Sequence, residues 1–439
     1  MEFLINYQEP ITMFNAPAQD ASLDTWLDYL LAIHPTEIEM GLGRVSQVAD
    51  RLGLRDLGTT KVITVAGTNG KGTTCAMVEQ VLLLAGESVG VYSSPHMLKY
   101  NERVRIDGKD VDDGLFIQAF DAINQARGDV SLSYFEFATL AGLYIFKAAK
   151  LDTVLLEVGL GGRLDAINII DADIAVITSI DLDHQEYLGD TRESVGMEKA
   201  GILRANKPAI IGEPDLPPCV VEYANDLGAV LHRVDHEFSY SSDAGFWQFS
   251  GLKTMSHIPM PSLPLPNAAT ALALLELGWP RLSDDIIRAG IQGARLTGRL
   301  EVVSEQPLVL LDVAHNPHAA RYLAKQLEKH QAKRLFALCG MLKDKDCRQV
   351  IETLAPLVDV WAFTSLKTER GASGEALKKV FVEHVQHTDG TSADAKHFDS
   401  VESAWRAIAA EICQGDVVIV FGSFYTVAEF KNIELGGRD

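Results

Sequence analysis

The chain has 439 residues, 47% hydrophobic and 23% charged, enough for two cored domains and too balanced for wholesale disorder. Its net charge of −21 gives no sign of the basic face that a phosphate-tracking nucleic-acid binder carries, and reads first as ordinary solubility. No apolar run approaches the roughly 18 residues of a membrane span, the opening MEFLINYQEP lacks a basic n-region, and five cysteines without a C-x-x-C pair fit free thiols, so a cytoplasmic protein without a nucleic-acid or membrane partner is expected.

Short runs rich in Val, Ile and Leu alternate with helical patterns along the chain. Strands are expected at Lys61–Ala66, Val89–Tyr92, 153–158, 174–180 and Pro208–Ile211, with a helix over 73–85 closed by Gly86. Runs this continuous, ending in Gly, Ser, Asp or Asn, are how strands buried on both faces read. Residues 232–260 differ, with Phe238, Tyr240, Phe246, Trp247 and Phe249 spaced by polar residues; small antiparallel strands beside the first sheet are expected there. A Pro-rich connector at 259–266 precedes helices over 267–277 and 284–290. A second strand series follows at 308–311, Leu335–Cys339, Val360–Thr364 and Val417–Phe421.

The fold class is therefore α/β: an N-terminal phosphate-loop domain (1–297) with a mainly parallel sheet and a small antiparallel one, then a C-terminal Rossmann-like α/β domain (298–439).

The sharpest local signal is Gly67-Thr68-Asn69-Gly70-Lys71-Gly72-Thr73-Thr74, between a strand and a helix. That order gathers backbone N–H groups and a helix dipole around an anion. Lys71 can neutralise phosphate charge, and Thr73 or Thr74 can offer a hydroxyl to phosphate or metal. The pattern GxxxxGK[ST] is not met strictly, because Val65 and Gly72 stand at two of its positions. A glycine-rich turn with a solvated lysine is the plain alternative.

The loop resembles the variant form in folylpolyglutamate synthases, and Mur ligases carry a related G-T-N-G-K. Ser93-Ser94-Pro95-His96, Glu102-Arg103, the stretch EVGLGGRLDA at 157–166, Asp183-His184, EKAGI at 198–202, Pro266-Asn267-Ala268, Gly298-Arg299 and DVAHNP at 312–317 follow in that family's order. The chain is most similar to bifunctional dihydrofolate synthase/folylpolyglutamate synthases of the gamma-proteobacterial kind.

The resemblance implies ATP and two Mg²⁺ ions as cofactors, and dihydropteroate, reduced folates and L-glutamate as substrates, on a monomer. It assigns Gly67 through Thr73, Asn267, Arg299, Asp312 and His315 to ATP. Ser94 and Glu157 would hold one Mg²⁺, and His184 would help hold a second. Lys199 would carry a CO₂-derived carbamate, and Lys71, His184, Lys199 and Arg299 would serve catalysis. Glu39, Met40, Gly41, Ser133, Tyr134, Phe135, Glu136, Leu164, Asp165 and Ala166 would form the pterin pocket.

Read without the family, several of these residues have plainer roles. Glu157 sits at the carboxyl edge of a strand, where α/β sheets bind ligands, or is a solvated carboxylate. His184 is equally a structural hydrogen-bonder, and imidazole is unusual for Mg²⁺. Lys199 is equally a helix-surface ion-pair partner, Arg299 an interdomain salt bridge, and Tyr134 and Phe135 core.

The implied chemistry is amide formation through an acyl phosphate, which needs positioning and charge neutralisation and no protein nucleophile. Three other readings stay open: a folylpolyglutamate synthase alone, a Mur-type cell-wall ligase, and a nucleotide switch without ligation. About 60 residues precede the loop, less than a Mur-type UDP-sugar domain would need.

Overall fold

The computed structural model describes residues 16–18, 20–34, 39–243, 245–386 and 394–436; the opening stretch read for a secretory signal lies outside them. Eight strands form the first sheet: β1 (Lys61–Ala66), β2 (Val89–Tyr92), β3 (Val104–Ile106), β4 (Lys109–Asp110), β5 (Thr153–Glu157), β6 (Ile174–Ile177), β7 (Pro208–Ile211) and β8 (Val230–Arg233). Their order is β4-β3-β2-β5-β1-β6-β7-β8. From β2 to β8 they run parallel, and β3 and β4 add an antiparallel edge.

Alternation explains why the central strands read as nearly continuous apolar runs. Val62 and Ala66 face one core with Val154 and Leu156, while Ile63 and Val65 face the other with Leu155. Both faces are covered, so the positions are apolar apart from Lys61 and Thr64 in β1 and Thr153 and Glu157 at the ends of β5. Each such side chain contributes about 1.5–3 kcal/mol by leaving water.

The aromatic region forms β9 (Ser239–Asp243), β10 (Phe246–Ser250) and β11 (Thr254–Pro259), an antiparallel sheet. Its Trp247 and Phe249 pack in the same core as Ile63 and Val65, as expected. The helix after the connector runs Leu265–Gly278 with proline in its first turn, where a missing N–H costs nothing.

The remaining strands are β12 (Glu301–Glu305), β13 (Leu308–Asp312), β14 (Leu335–Cys339), β15 (Val360–Thr364), β16 (Asp394–Phe398) and β17 (Val417–Phe421). They order as β12-β13-β17-β14-β15-β16, parallel except for β12. Separate cores cover the two faces of this sheet.

Two boundaries moved for a physical reason. The strand expected over 174–180 stops at Ile177, because the next residues turn to hold the glycine-rich loop. Thr178 Oγ1 and Ser179 Oγ both donate to the Asn69 carbonyl, at 2.6 and 3.0 Å. The helix after the loop starts at Lys71, two residues earlier than expected, with Gly70 in the left-handed region (φ 89°) at its N-cap. Among the described residues, no helix is long and apolar enough to cross a membrane.

Candidate active site

The glycine-rich loop lies over the carboxyl ends of β5, β1 and β6. Val65 pairs with Glu157 and Ala66 with Ile177, so Glu157 stands beside the loop's root. Gly67 has φ 150°, and a Cβ there would lie 1.9 Å from Thr178 Oγ1. Only glycine fits that approach. Lys71 Nζ donates to the Gly67 carbonyl at 2.9 Å, which keeps the ammonium at the mouth of the loop. Thr73 Oγ1 donates to the Gly70 carbonyl (2.9 Å) and accepts from Asn267 Nδ2 (2.6 Å); Asn267 therefore fixes the helix start from the neighbouring helix on the same face of the sheet.

The loop opens into a cleft of about 970 Å³ whose walls include Gly67 through Gly72, Ser94, Glu157, His184, Lys199, Arg299 and His315. The cleft thus collects residues from both sheets. Asp312 and Asn267 lie behind this wall. The Leu300 and Ala314 N–H groups donate to Asp312 at 2.9 and 2.8 Å. The Arg299 guanidinium lies over the Phe424 ring, 5.4 Å from its centre. Burial opposes its charge, while Asp312 and Glu157 support it.

The electrostatics of the cleft favour metal and phosphate. Glu157 is buried, which pushes its carboxyl up, while Lys71, Arg299, Arg105 and the Ser94 N–H pull the other way. Burial lowers His184 to about 4, against the attraction of Asp183, so its imidazole is neutral at pH 7 with a lone pair to give. Lys199 is 3% exposed. Burial first, then the charge of Lys71, lowers it to about 7, with Asp183 and Glu198 opposing.

These residues fit the expected groups. Among the described residues, no three or more His, Cys, Asp or Glu gather into a metal cage, whereas Mg²⁺ in nucleotide sites takes one or two protein donors and completes its shell with phosphates and water. A lysine near 7 exposes the free amine that CO₂ requires; an unshifted lysine is neutral in roughly 1 molecule in 3,000 at pH 7.

A second cavity of about 80 Å³ adjoins the cleft, lined by Glu39, Met40, Gly41, Ser133, Phe135, Glu136, Leu160, Leu164, Asp165 and Ala166. Phe135 and Leu160 line both cavities. Of the pocket expected from the resemblance, only Tyr134 faces the cleft alone. Several of these side chains also shape the wall. Ser133 and Glu136 form a capping box on the helix Tyr134–Ala149. Glu136 pairs with Arg44 at 3.2 Å, and Arg44 also pairs with Glu39. Asp165 accepts from the N–H groups of Gly159, Leu160 and Ile167 at 2.9–3.0 Å. Burial still raises it to about 6 against those donors.

Some cleft residues were absent from the expected set. Asp183, Lys345, Arg103 and Arg105 are the clearest, with the buried Asn316 behind them on Asn69 and Asp183. Asp183, Asn316 and Arg103 stood inside matched segments, and that position was the available signal. Lys345 lay in a stretch with no motif.

Two sheets facing each other across such a cleft, with the phosphate loop on one and Arg299, Asp312 and His315 on the other, define an ATP-dependent ligase of the Mur type. The family described as "Mur ligase, glutamate ligase domain" matches residues 298–424. The dihydrofolate synthase/folylpolyglutamate synthase of Escherichia coli is 48% identical over 95% of this chain and 96% of its own. The structure of E. coli FolC in complex with DHPP and ADP superposes with a TM-score of 0.92 at 47% identity, covering 96% of this chain and 100% of that one. A bifunctional folylpolyglutamate synthase/dihydrofolate synthase with Mn, AMPPNP and L-glutamate bound gives 0.88 at 49%, covering 96% and 100%. The chain belongs to the dihydrofolate synthase/folylpolyglutamate synthase family.

Proposed function

We propose that this chain joins L-glutamate to dihydropteroate, forming dihydrofolate, and to reduced folates, forming folylpolyglutamates, with ATP and Mg²⁺. The observation that carries the reading is the pair of joined cavities: a small one for a pterin opens at Phe135 and Leu160 into a large one that ends at the phosphate loop. The division of labour follows the two sheets, residues 1–297 supplying the loop and pterin pocket and residues 298–439 closing over the nucleotide.

A carboxylate is a poor electrophile at neutral pH. One oxygen of the acceptor carboxylate attacks the γ-phosphorus and ADP leaves. The glutamate amine then adds to the acyl carbon, loses its proton, and phosphate departs with the attacking oxygen. The protein's part is positioning and charge neutralisation. The loop N–H groups and Lys71 hold the triphosphate, and Arg299 faces the same anion from the other sheet, with the charge of Asp312 supporting its guanidinium. Ser94 and Glu157 would hold one magnesium ion, and His184 with carbamylated Lys199 would organise a second. Bound there, magnesium would neutralise phosphate charge.

The test is glutamate-dependent phosphate release with ATP and Mg²⁺, comparing dihydropteroate with a reduced folate. Release with both acceptors is expected. Release with folate alone would leave a folylpolyglutamate synthase, and ATP turnover indifferent to glutamate would remove the ligase reading.

A further inference from the structure

We propose that Arg103 is a carboxylate subsite that receives the α-carboxylate of a glutamyl tail on the acceptor; this deepens the function proposed above and rests on its folate-extending half. Arg103 closes the short helical turn Tyr100–Arg103 and is 8% exposed. Its Nε donates to His96 Nδ1 at 3.0 Å. Its guanidinium lies 5.3 Å from the Tyr100 ring centre and 5.6 Å from that of Tyr134. Its remaining surface lines the cleft.

What sets it apart is charge. Among the described residues, no carboxylate lies within ion-pair distance of it. Arg105, two residues on, pairs with Glu79 at 2.9 Å, and Arg44 pairs with Glu136. The adjacent Glu102 gives its carboxylate to the N–H groups of Met97, Leu98 and Lys99, at 2.6, 2.7 and 2.8 Å. His96 accepts the Arg103 Nε–H and an imidazole carries no negative charge, so it orients the guanidinium without balancing it. A buried cation without a counter-ion is costly, and a planar fork between aromatic walls is suited to a carboxylate.

Position selects which carboxylate. Tyr134, over Arg103, precedes Phe135, which lines both cavities. An acceptor with its ring in the small cavity and its reacting carboxyl at Lys71 must pass this point. Dihydropteroate has one carboxylate, and it reacts. A folate has a second, which stays anionic through the whole cycle and must enter the same cleft. Lys345 is already paired with Asp183, Arg105 with Glu79, Arg370 with Asp344 and Lys431 with Glu301, Lys71 and Arg299 are assigned to the nucleotide, and Arg295 is exposed to solvent. Arg103 is the buried arginine left for this carboxylate.

The experiment measures kcat/KM for a reduced folate monoglutamate and for dihydropteroate in wild type, Arg103→Gln and Arg103→Lys. The folate-to-dihydropteroate ratio should fall about ten- to hundredfold in Arg103→Gln, through KM, with Arg103→Lys intermediate. An unchanged ratio overturns the subsite. A wild type that takes dihydropteroate alone overturns the functional reading first, and the subsite with it. A folate whose α-carboxylate is replaced by carboxamide tests the same contact on unaltered protein. Wild type should discriminate against it and Arg103→Gln should not; a wild type that uses both equally refutes the proposal even if the variants misfold.

Discussion

Lys345 Nζ lies 2.7 Å from Asp183 Oδ1, with the two side chains 8% and 14% exposed, and this ion pair joins the second sheet's domain to the segment that carries His184. Asn316 Nδ2 reaches the other carboxylate oxygen at 3.4 Å, and Arg321 pairs with Asp181 close by. The two halves of the cleft are thus clamped at the residue beside an expected metal ligand. Burial alone would raise Asp183, but His315, Lys345 and His184 hold it well below the usual carboxylate range.

Lys345→Met should therefore lower stability by about 2 kcal/mol, less than a fully buried pair would cost, and reduce turnover by misplacing His184. The sign with pH is fixed. A carboxyl depressed in the folded state stabilises above its unfolded pKa of about 4 and loses that contribution as pH falls. Thermal unfolding should show the gap between wild type and variant closing below about pH 4.

Lys71→Ala should fold normally and lose about a hundredfold or more of its glutamate-dependent phosphate release. The side chain is half-buried and, among the described residues, its hydrogen bonds go to loop carbonyls, so little of the core depends on it. A folded, active variant would count heavily against the phosphate loop.

Glu157→Gln should keep the strand and weaken the response to metal. Titrating Mg²⁺ against rate should give a curve shifted to higher concentration or flattened; an unchanged curve would remove Glu157 from the metal site.

Lys199 is expected to need CO₂. Enzyme prepared in CO₂-depleted buffer should lose activity and regain it on adding bicarbonate, and Lys199→Ala should not respond. Because the folded group sits near 7 and the unfolded one near 10.4, the unmodified lysine costs stability in full below about pH 7. That cost is relieved as pH rises toward 10. Denaturation of CO₂-depleted wild type and Lys199→Met across this range should show the variant's advantage shrinking.

Gly67→Ala should disrupt the loop, since its Cβ meets a Thr178 hydroxyl that is itself bonded to Asn69. A loss of about 2–4 kcal/mol and of nucleotide binding is expected. Calorimetry with and without ADP would read both.

The central strands were legible because burial on both faces leaves a nearly continuous apolar signature, as in Lys61–Ala66 and Val417–Phe421. The edges were not. β12 carries Glu301, Ser304 and Glu305, and β16 carries exposed Asp394, Lys396 and His397, so pairing on one side only left no pattern to read. The loop was legible because its glycines answer a steric demand. The small cavity came from resemblance, since Ser133 and Glu136 look like an ordinary helix cap. Lys345 was invisible because its meaning depends on Asp183, 162 positions earlier. Arg103 stood in the matched Glu102-Arg103 segment, but its role was not legible, because an absent counter-ion leaves no mark in a sequence.

Following the carboxylate oxygen is the most direct test. Dihydropteroate labelled with oxygen-18 in its carboxyl group is turned over with ATP, Mg²⁺ and L-glutamate, and the released phosphate is analysed by mass. Activation at the phosphate loop predicts one labelled oxygen in each phosphate formed. Phosphate without label, alongside dihydrofolate formation, would contradict the account.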